Sequence, residues 1–130
     1  MSKVQPNTHL GIDPTLCGTP VELAPGRAVT KFTATAVMTA DDRGLVHGGF
    51  VFGLADYAAM LAVNDPHVVL GAADCRFLAP VREGEEVVAR AEVIEEKGKK
   101  RTVTARATVA EKIVFEATFT TFVLDQHVLD

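Results

Sequence analysis

Apolar and polar residues alternate over long stretches of this chain, and the period of the alternation defines its elements. From Arg27 to Met38, Ala28, Phe32, Ala34, Ala36 and Met38 fall on one parity, with Lys31, Thr33 and Thr35 on the other. Period two puts one set of side chains on a buried face, so this segment is expected to be a half-buried strand. The same period returns later. Val69, Gly71, Ala73, Cys75 and Phe77 alternate with Asp74 and Arg76 over 68–78, and Val87, Ala89, Ala91 and Val93 with Arg90 and Glu92 over 86–96. Over 101–110, Val103, Ala105, Ala107 and Val109 alternate with Thr102, Thr104, Arg106 and Thr108. In the last run Ile113, Phe115, Ala117 and Phe119 share a face; Phe122 and Leu124 then change parity at Thr120-Thr121, as a bulge would make them do. Pro80, Gly84 and the Lys97-Gly98-Lys99-Lys100 tip supply the turns.

Between the first strand and these four lies a different pattern. After a turn-rich loop over 39–48, Gly49 to Asn64 is apolar on nearly every side and rich in Ala, Leu and Met, which favours a helix. Asp65-Pro66 ends it, because proline cannot continue the backbone ladder. Four prolines, Pro6, Pro14, Pro20 and Pro25, crowd the first 26 residues, so 1–26 is expected to be an irregular lead-in and 27–130 a single domain. Strand, helix and four strands make an α+β architecture, one long helix on a mainly antiparallel sheet of about five to six strands. One sheet covers one side of an all-round apolar helix. A second copy of the chain is expected to cover the rest, giving at least a dimer.

Composition narrows the partners. A chain of 130 residues holds one core, and 13 Lys plus Arg against 17 Asp plus Glu, a formal charge of -4, argues against general affinity for nucleic acid or anionic lipid. Cys17 and Cys75 lack CxxC or Cys/His spacing, and His9, His67 and His127 are isolated, so neither a metal site nor a disulfide framework is expected. The first residues contain no apolar run of the signal-peptide kind, and no segment is of bilayer-spanning length; a cytoplasmic protein without membrane partner is expected.

Asp56 is the only charged residue between His47 and Asp65. An ionised carboxylate buried without partners is costly by several kcal/mol. Asp56 therefore sits on a narrow solvent strip of the helix, caps a helix that starts later than Gly49, or serves as a pocket carboxylate with a perturbed pKa. At the helix start, His47-Gly48-Gly49 leaves first-turn N–H groups open to an anionic ligand, where the macrodipole also favours negative charge. Gly53, inside the helix, costs about 1 kcal/mol against alanine and is expected to permit a close approach of sheet, partner helix or ligand. Five cations, Lys97, Lys99, Lys100, Arg101 and Arg106, fall within ten residues. They either solubilise a hairpin tip or contact an anion.

The stretch GLVHGGFVFGLAD, Gly44 to Asp56, followed by RFLAPVREGE at 76–85, resembles the hotdog-fold acyl-CoA thioesterases, and most nearly the phenylacetate-pathway (PaaI-like) type, whose pattern is His-Gly-Gly, six residues, then a catalytic Asp. The resemblance covers about residues 27–124. It implies a helix wrapped by a curved sheet, dimers or tetramers with active sites at the dimer interface, and hydrolysis of a small or medium acyl, possibly aryl, thioester. In that reading Asp56 is general base or nucleophile, the Gly48 or Gly49 N–H polarises the carbonyl, and His47 shapes the loop. Phe50, Phe52 and Tyr57 would line an acyl pocket, and Lys99, Lys100 and Arg101 would meet the phosphates of coenzyme A, which is substrate rather than cofactor. Asp41 stands where related enzymes often carry Asn, and a second carboxylate beside Asp56 would raise one of the two pKa values. Asp42 and His47 also reproduce the spacing of MaoC-like enoyl-CoA hydratases, without their Asn and Pro. A non-catalytic acyl-CoA binder of the same fold is the third alternative.

Overall fold

The structure, a computed structural model, describes residues 4–130. Its elements are α1 (Pro14–Cys17), β1 (Thr19–Ala24), β2 (Arg27–Thr33), a 3-10 turn at Ala36–Met38, α2 (Gly48–Val63), β3 (Val68–Phe77), β4 (Glu86–Lys97), β5 (Lys100–Val109) and β6 (Lys112–Val123). The six strands form one antiparallel sheet in the order β1-β2-β4-β5-β6-β3. It curves around α2, which rests chiefly on β2, β4 and β5. This is the expected α+β hotdog architecture. No helix of the structure is long and apolar enough to cross a membrane.

The alternation rows become the inner face. Ala28, Ala91, Ala105 and Ala117 pair in register across β2, β4, β5 and β6, all buried. This row of small side chains leaves depth for the wholly buried Leu54, Met60 and Leu61 of α2. Thr30, also buried, donates its hydroxyl proton to the Leu54 carbonyl at 3.1 Å, which satisfies it inside the core.

Three expectations change. The first strand stops at Thr33; Met38 is buried by the 3-10 turn, and Ala36 is exposed. Bulges also sit elsewhere than at Thr120-Thr121. One falls at Gly71 of β3, whose missing Cβ makes room for the Phe122 ring, and one at Val114 of β6. Each adds one residue and flips the parity beyond it, so Leu70 rather than Val69 joins Ala73, Cys75 and Phe77 on the inner face, and Ile113 turns outward.

The lead-in is the largest correction; its residues 1–3 lie outside the described residues. Asp13 caps α1 by accepting from the Thr15 N–H at 2.8 Å, with Pro14 in the first turn, and Pro20 is tolerated because β1 is an edge strand. Before α1 the chain runs along the outer side of α2. The Asn7 N–H donates to Asn64 Oδ1 and Asn64 Nδ2 donates to the Gln5 carbonyl, both at 2.8 Å, and the His9 ring lies 6.3 Å from that of Tyr57. The outer side of the C-terminal half of α2 is thus covered by the chain's own N-terminal segment. Asn64, in the left-handed region at φ 56°, ends the helix and pins that segment at once. Asn64→Ala is expected to lower stability by about 1–2 kcal/mol through two lost hydrogen bonds and backbone strain. Proteolysis should accelerate over residues 5–13; equal cleavage rates would show that the pin is unnecessary.

Candidate active site

The loop before α2 is held by short bridges, Thr39 to Val46 and Leu45 to Arg82. Asp41 turns into this loop, where its Oδ1 accepts the N–H of Arg43 at 2.9 Å and of Leu45 at 3.2 Å. Its carboxylate is therefore engaged locally as a loop brace. The His47 N–H donates to the Met38 carbonyl at 2.9 Å, and its exposed side chain makes no capping bond, leaving the ring free. That ring folds over Gly49, where a Cβ would stand 3.0 Å from it, while the Phe77 ring presses on Gly48, where a Cβ would also stand at 3.0 Å. Both glycines answer to these close approaches. The Phe50 N–H donates to the His47 carbonyl at 3.0 Å, and the N–H groups of Gly48 and Gly49 find no acceptor among the described residues. Two donors at the positive end of a helix dipole are left for a ligand oxygen.

From here α2 carries one incompletely covered strip, Gly49, Phe52, Gly53 and Asp56, at spacings of three and four that align on one side. A side chain at Gly53 would meet nothing within 4 Å. In the single chain, no sheet or helix makes the close approach expected there. Asp56 sits at the end of the strip, where the N-terminal segment begins to cover the helix. Its Oδ1 is buried without a hydrogen-bond partner among the described residues, and burial pushes its pKa up to about 6. The strip and the perturbed carboxylate, posed as alternatives by the sequence, coexist. Cys17 of α1 is an electrostatic neighbour: burial, then Asp13 and Asp56, hold its thiol above the usual range.

Other residues fall differently. Phe52 packs edge-on against Phe115 and Phe119, with ring centroids at 6.2 and 5.6 Å. Phe50 lies edge-on to His47 at 6.2 Å, and Tyr57 turns to His9 under the N-terminal segment, away from the strip. Lys99, Lys100 and Arg101 stand at the other end of the sheet, where α2 terminates: the Val123 N–H donates to the Lys99 carbonyl, and Val123 pairs with Val68, at the opposite end of the 10-residue β3 from Phe77. There Lys99 Nζ meets Asp125 at 2.9 Å and Arg101 meets Glu96 at 3.6 Å. One chain does not bring this cluster to its own helix N-terminus. A hollow of about 950 Å³, lined among others by Arg90, Arg106 and Glu116, lies on the outer face of the sheet, and neither Asp56 nor the helix start lines it.

Phe77 is the residue that the alternation pattern misplaced. It points inward, yet is 56% exposed, because α2 begins beside it, at Gly48, and the first turn covers only part of the ring. Inward parity means core only where something covers the face.

Comparison with known proteins agrees with this geometry. The profile of the thioesterase superfamily matches residues 43–116. The uncharacterized protein PH1136 from Pyrococcus horikoshii superposes with TM-score 0.98 at 47% identity, covering 100% of both chains. A mutant of the phenylacetic acid degradation protein PaaI from Thermus thermophilus superposes with TM-score 0.77 at 32% identity, over 84% of this chain and 95% of that one. Among curated relatives, methylthioribose-1-phosphate isomerase from Aquifex aeolicus is 50% identical over 119 residues, 91% of this chain and 26% of that protein. Transcription factor FapR from Caldanaerobacter subterraneus is 30% identical over 103 residues, 79% of this chain and 52% of that protein. The chain thus spans between a quarter and half of these curated relatives' length. With the profile over more than half of its residues and a single helix wrapped by a six-stranded antiparallel sheet, the chain belongs to the thioesterase superfamily.

Proposed function

We propose that the protein is an acyl-CoA thioesterase working as a homo-oligomer, with Asp56 as its ionising catalytic group. The observation that carries this reading is the buried, unpartnered Asp56 Oδ1 at the end of an open strip that begins at two free N–H groups. In the base form of the reaction, Asp56 takes a proton from water, whose oxygen attacks the thioester carbonyl carbon. The oxyanion accepts from the helix N–H groups. The C–S bond then breaks, the thiolate takes the proton back from Asp56, and a carboxylic acid and free coenzyme A leave. In the nucleophile form the Asp56 carboxylate attacks the carbonyl carbon itself, the C–S bond breaks and coenzyme A departs as its thiolate; water then cleaves the mixed anhydride to the carboxylic acid and the Asp56 carboxylate, its other proton going to the thiolate.

Helix geometry adds a constraint. Gly49 and Asp56 are seven residues apart, about 10 Å of helical rise, more than one tetrahedral centre spans. A complete site therefore takes the N–H donors from one copy and Asp56 from another. The unpaired outer edge of β3 and the uncovered strip are the surfaces such a second copy would meet.

The likeness to a transcription factor favours one competing reading without catalysis, the acyl-CoA binder that the sequence left open. Release of free thiol from a panel of acyl-CoA thioesters separates the two: a hydrolase turns over, a binder only saturates. In the same assay, neutralising Lys99, Lys100 and Arg101 is expected to raise KM for acyl-CoA roughly tenfold, through a neighbouring copy's site. High salt should shrink that effect, and thioesters lacking the coenzyme's phosphates should not show it. An equal change for both substrate types would remove the phosphate role.

A further inference from the structure

We infer that Phe77 is a specificity-determining residue, the wall that holds the apolar acyl group of the substrate against the helix N-terminus. This rests on the thioesterase reading and adds to it a residue and a selectivity.

The Phe77 ring lies where a Cβ on Gly48 would be 3.0 Å from its Cε2, so the ring stands beside the first turn of α2 and next to the free Gly48 N–H. The ring is held in place. It packs against Phe115 with centroids 5.0 Å apart, and Phe115 in turn meets Phe52, which also meets Phe119. Phe115 and Phe119 are wholly buried, whereas Phe77 is 56% exposed and Phe52 half-buried on the open strip. Two anchored aromatic surfaces thus flank the free N–H groups. Such a surface gains by covering hydrocarbon and gains nothing from the amides and phosphates of the coenzyme, so the acyl group is the part of the substrate that it fits.

The test compares wild type, Phe77→Leu and Phe77→Ala on acetyl-, hexanoyl- and benzoyl-CoA, with sedimentation on the same samples. For Phe77→Ala, kcat/KM should fall roughly 10- to 100-fold for hexanoyl- and benzoyl-CoA and less than about threefold for acetyl-CoA, with Phe77→Leu between. Sedimentation should be unchanged. An equal fall on all three acyl groups would overturn the inference, and so would dissociation into monomers, which would make Phe77 an interface residue. Affinity for the non-hydrolysable thioethers S-hexyl-CoA and S-methyl-CoA reads the same wall without turnover. If no thioester is hydrolysed, a loss of affinity confined to S-hexyl-CoA sustains the wall and removes the hydrolase; equal losses remove the wall.

Discussion

Replacing Asp56 by Asn is expected to lower thioester turnover by roughly 10²- to 10⁴-fold and at the same time to make the folded protein more stable above pH 6. The first effect follows from removing the proton acceptor of the reaction. The second follows from linkage. The native carboxyl holds its proton up to about pH 6, because burial disfavours the charge, whereas in the unfolded chain it loses the proton near the ordinary 3.8. Between those values the unfolded state binds fewer protons than the native one, so stability falls as pH rises through the window. The loss is complete above pH 6. It amounts to up to about 3 kcal/mol, less what solvent screens at a partly exposed strip. Asn is neutral and of the same shape, so Asp56→Asn escapes this loss, and its advantage should vanish below about pH 4. Thermal midpoints of both proteins at pH 4 and pH 8 measure it. A variant destabilised at pH 8 would mean that Asp56 is an ordinary structural carboxylate.

A mixture of two inactive variants is expected to recover about a quarter of the wild-type rate. Asp56→Asn removes the carboxylate, and Gly48→Pro removes one N–H at a helix position that suits proline's fixed φ; its Cβ would stand 3.0 Å from the Phe77 ring, a contact that a shift of a few tenths of an ångström relieves. If each site draws donors from one copy and Asp56 from the other, a mixed dimer contains one site with both defects and one with neither. Half of randomly re-formed dimers are mixed, and half of their sites are intact. A site built within one helix would show no recovery, since every chain then carries a defect. Each variant must sediment as the wild type does, otherwise failure to recover would report assembly.

The helix and the four following strands were legible because the sheet covers α2 along most of its length, so apolar parity and burial coincide from Val87 to Ala107. Parity failed where one residue is added among neighbours of similar character. Ile113, Val114 and Phe115 are all apolar, and nothing in that triplet marks Val114 as the extra one. Gly71 is silent for another reason: its role is to make room for Phe122, which alternation does not register. The N-terminal segment defeated local reading altogether, since its prolines show only what it does not form, and the Asn64 contacts that pin it are 57 and 59 residues distant in sequence.

The candidate site divides the same way. A lone carboxylate in an apolar helix is conspicuous, and so is a glycine pair at its start. The separation of Gly49 and Asp56 is likewise countable, and helical rise turns it into a case for two chains. Phe77 was not conspicuous, because its exposure depends on where α2 begins relative to β3. That is a property of packing, invisible in either segment alone.

The most direct test of the central claim, that an ionising Asp56 carries thioester hydrolysis, is the pH dependence of free-thiol release from acyl-CoA by the wild-type protein. kcat/KM should rise about tenfold per pH unit below pH 6 and level off above it, as a base with its pKa near 6 requires. No release above the uncatalysed rate, or a flat profile between pH 5 and pH 7, would contradict it.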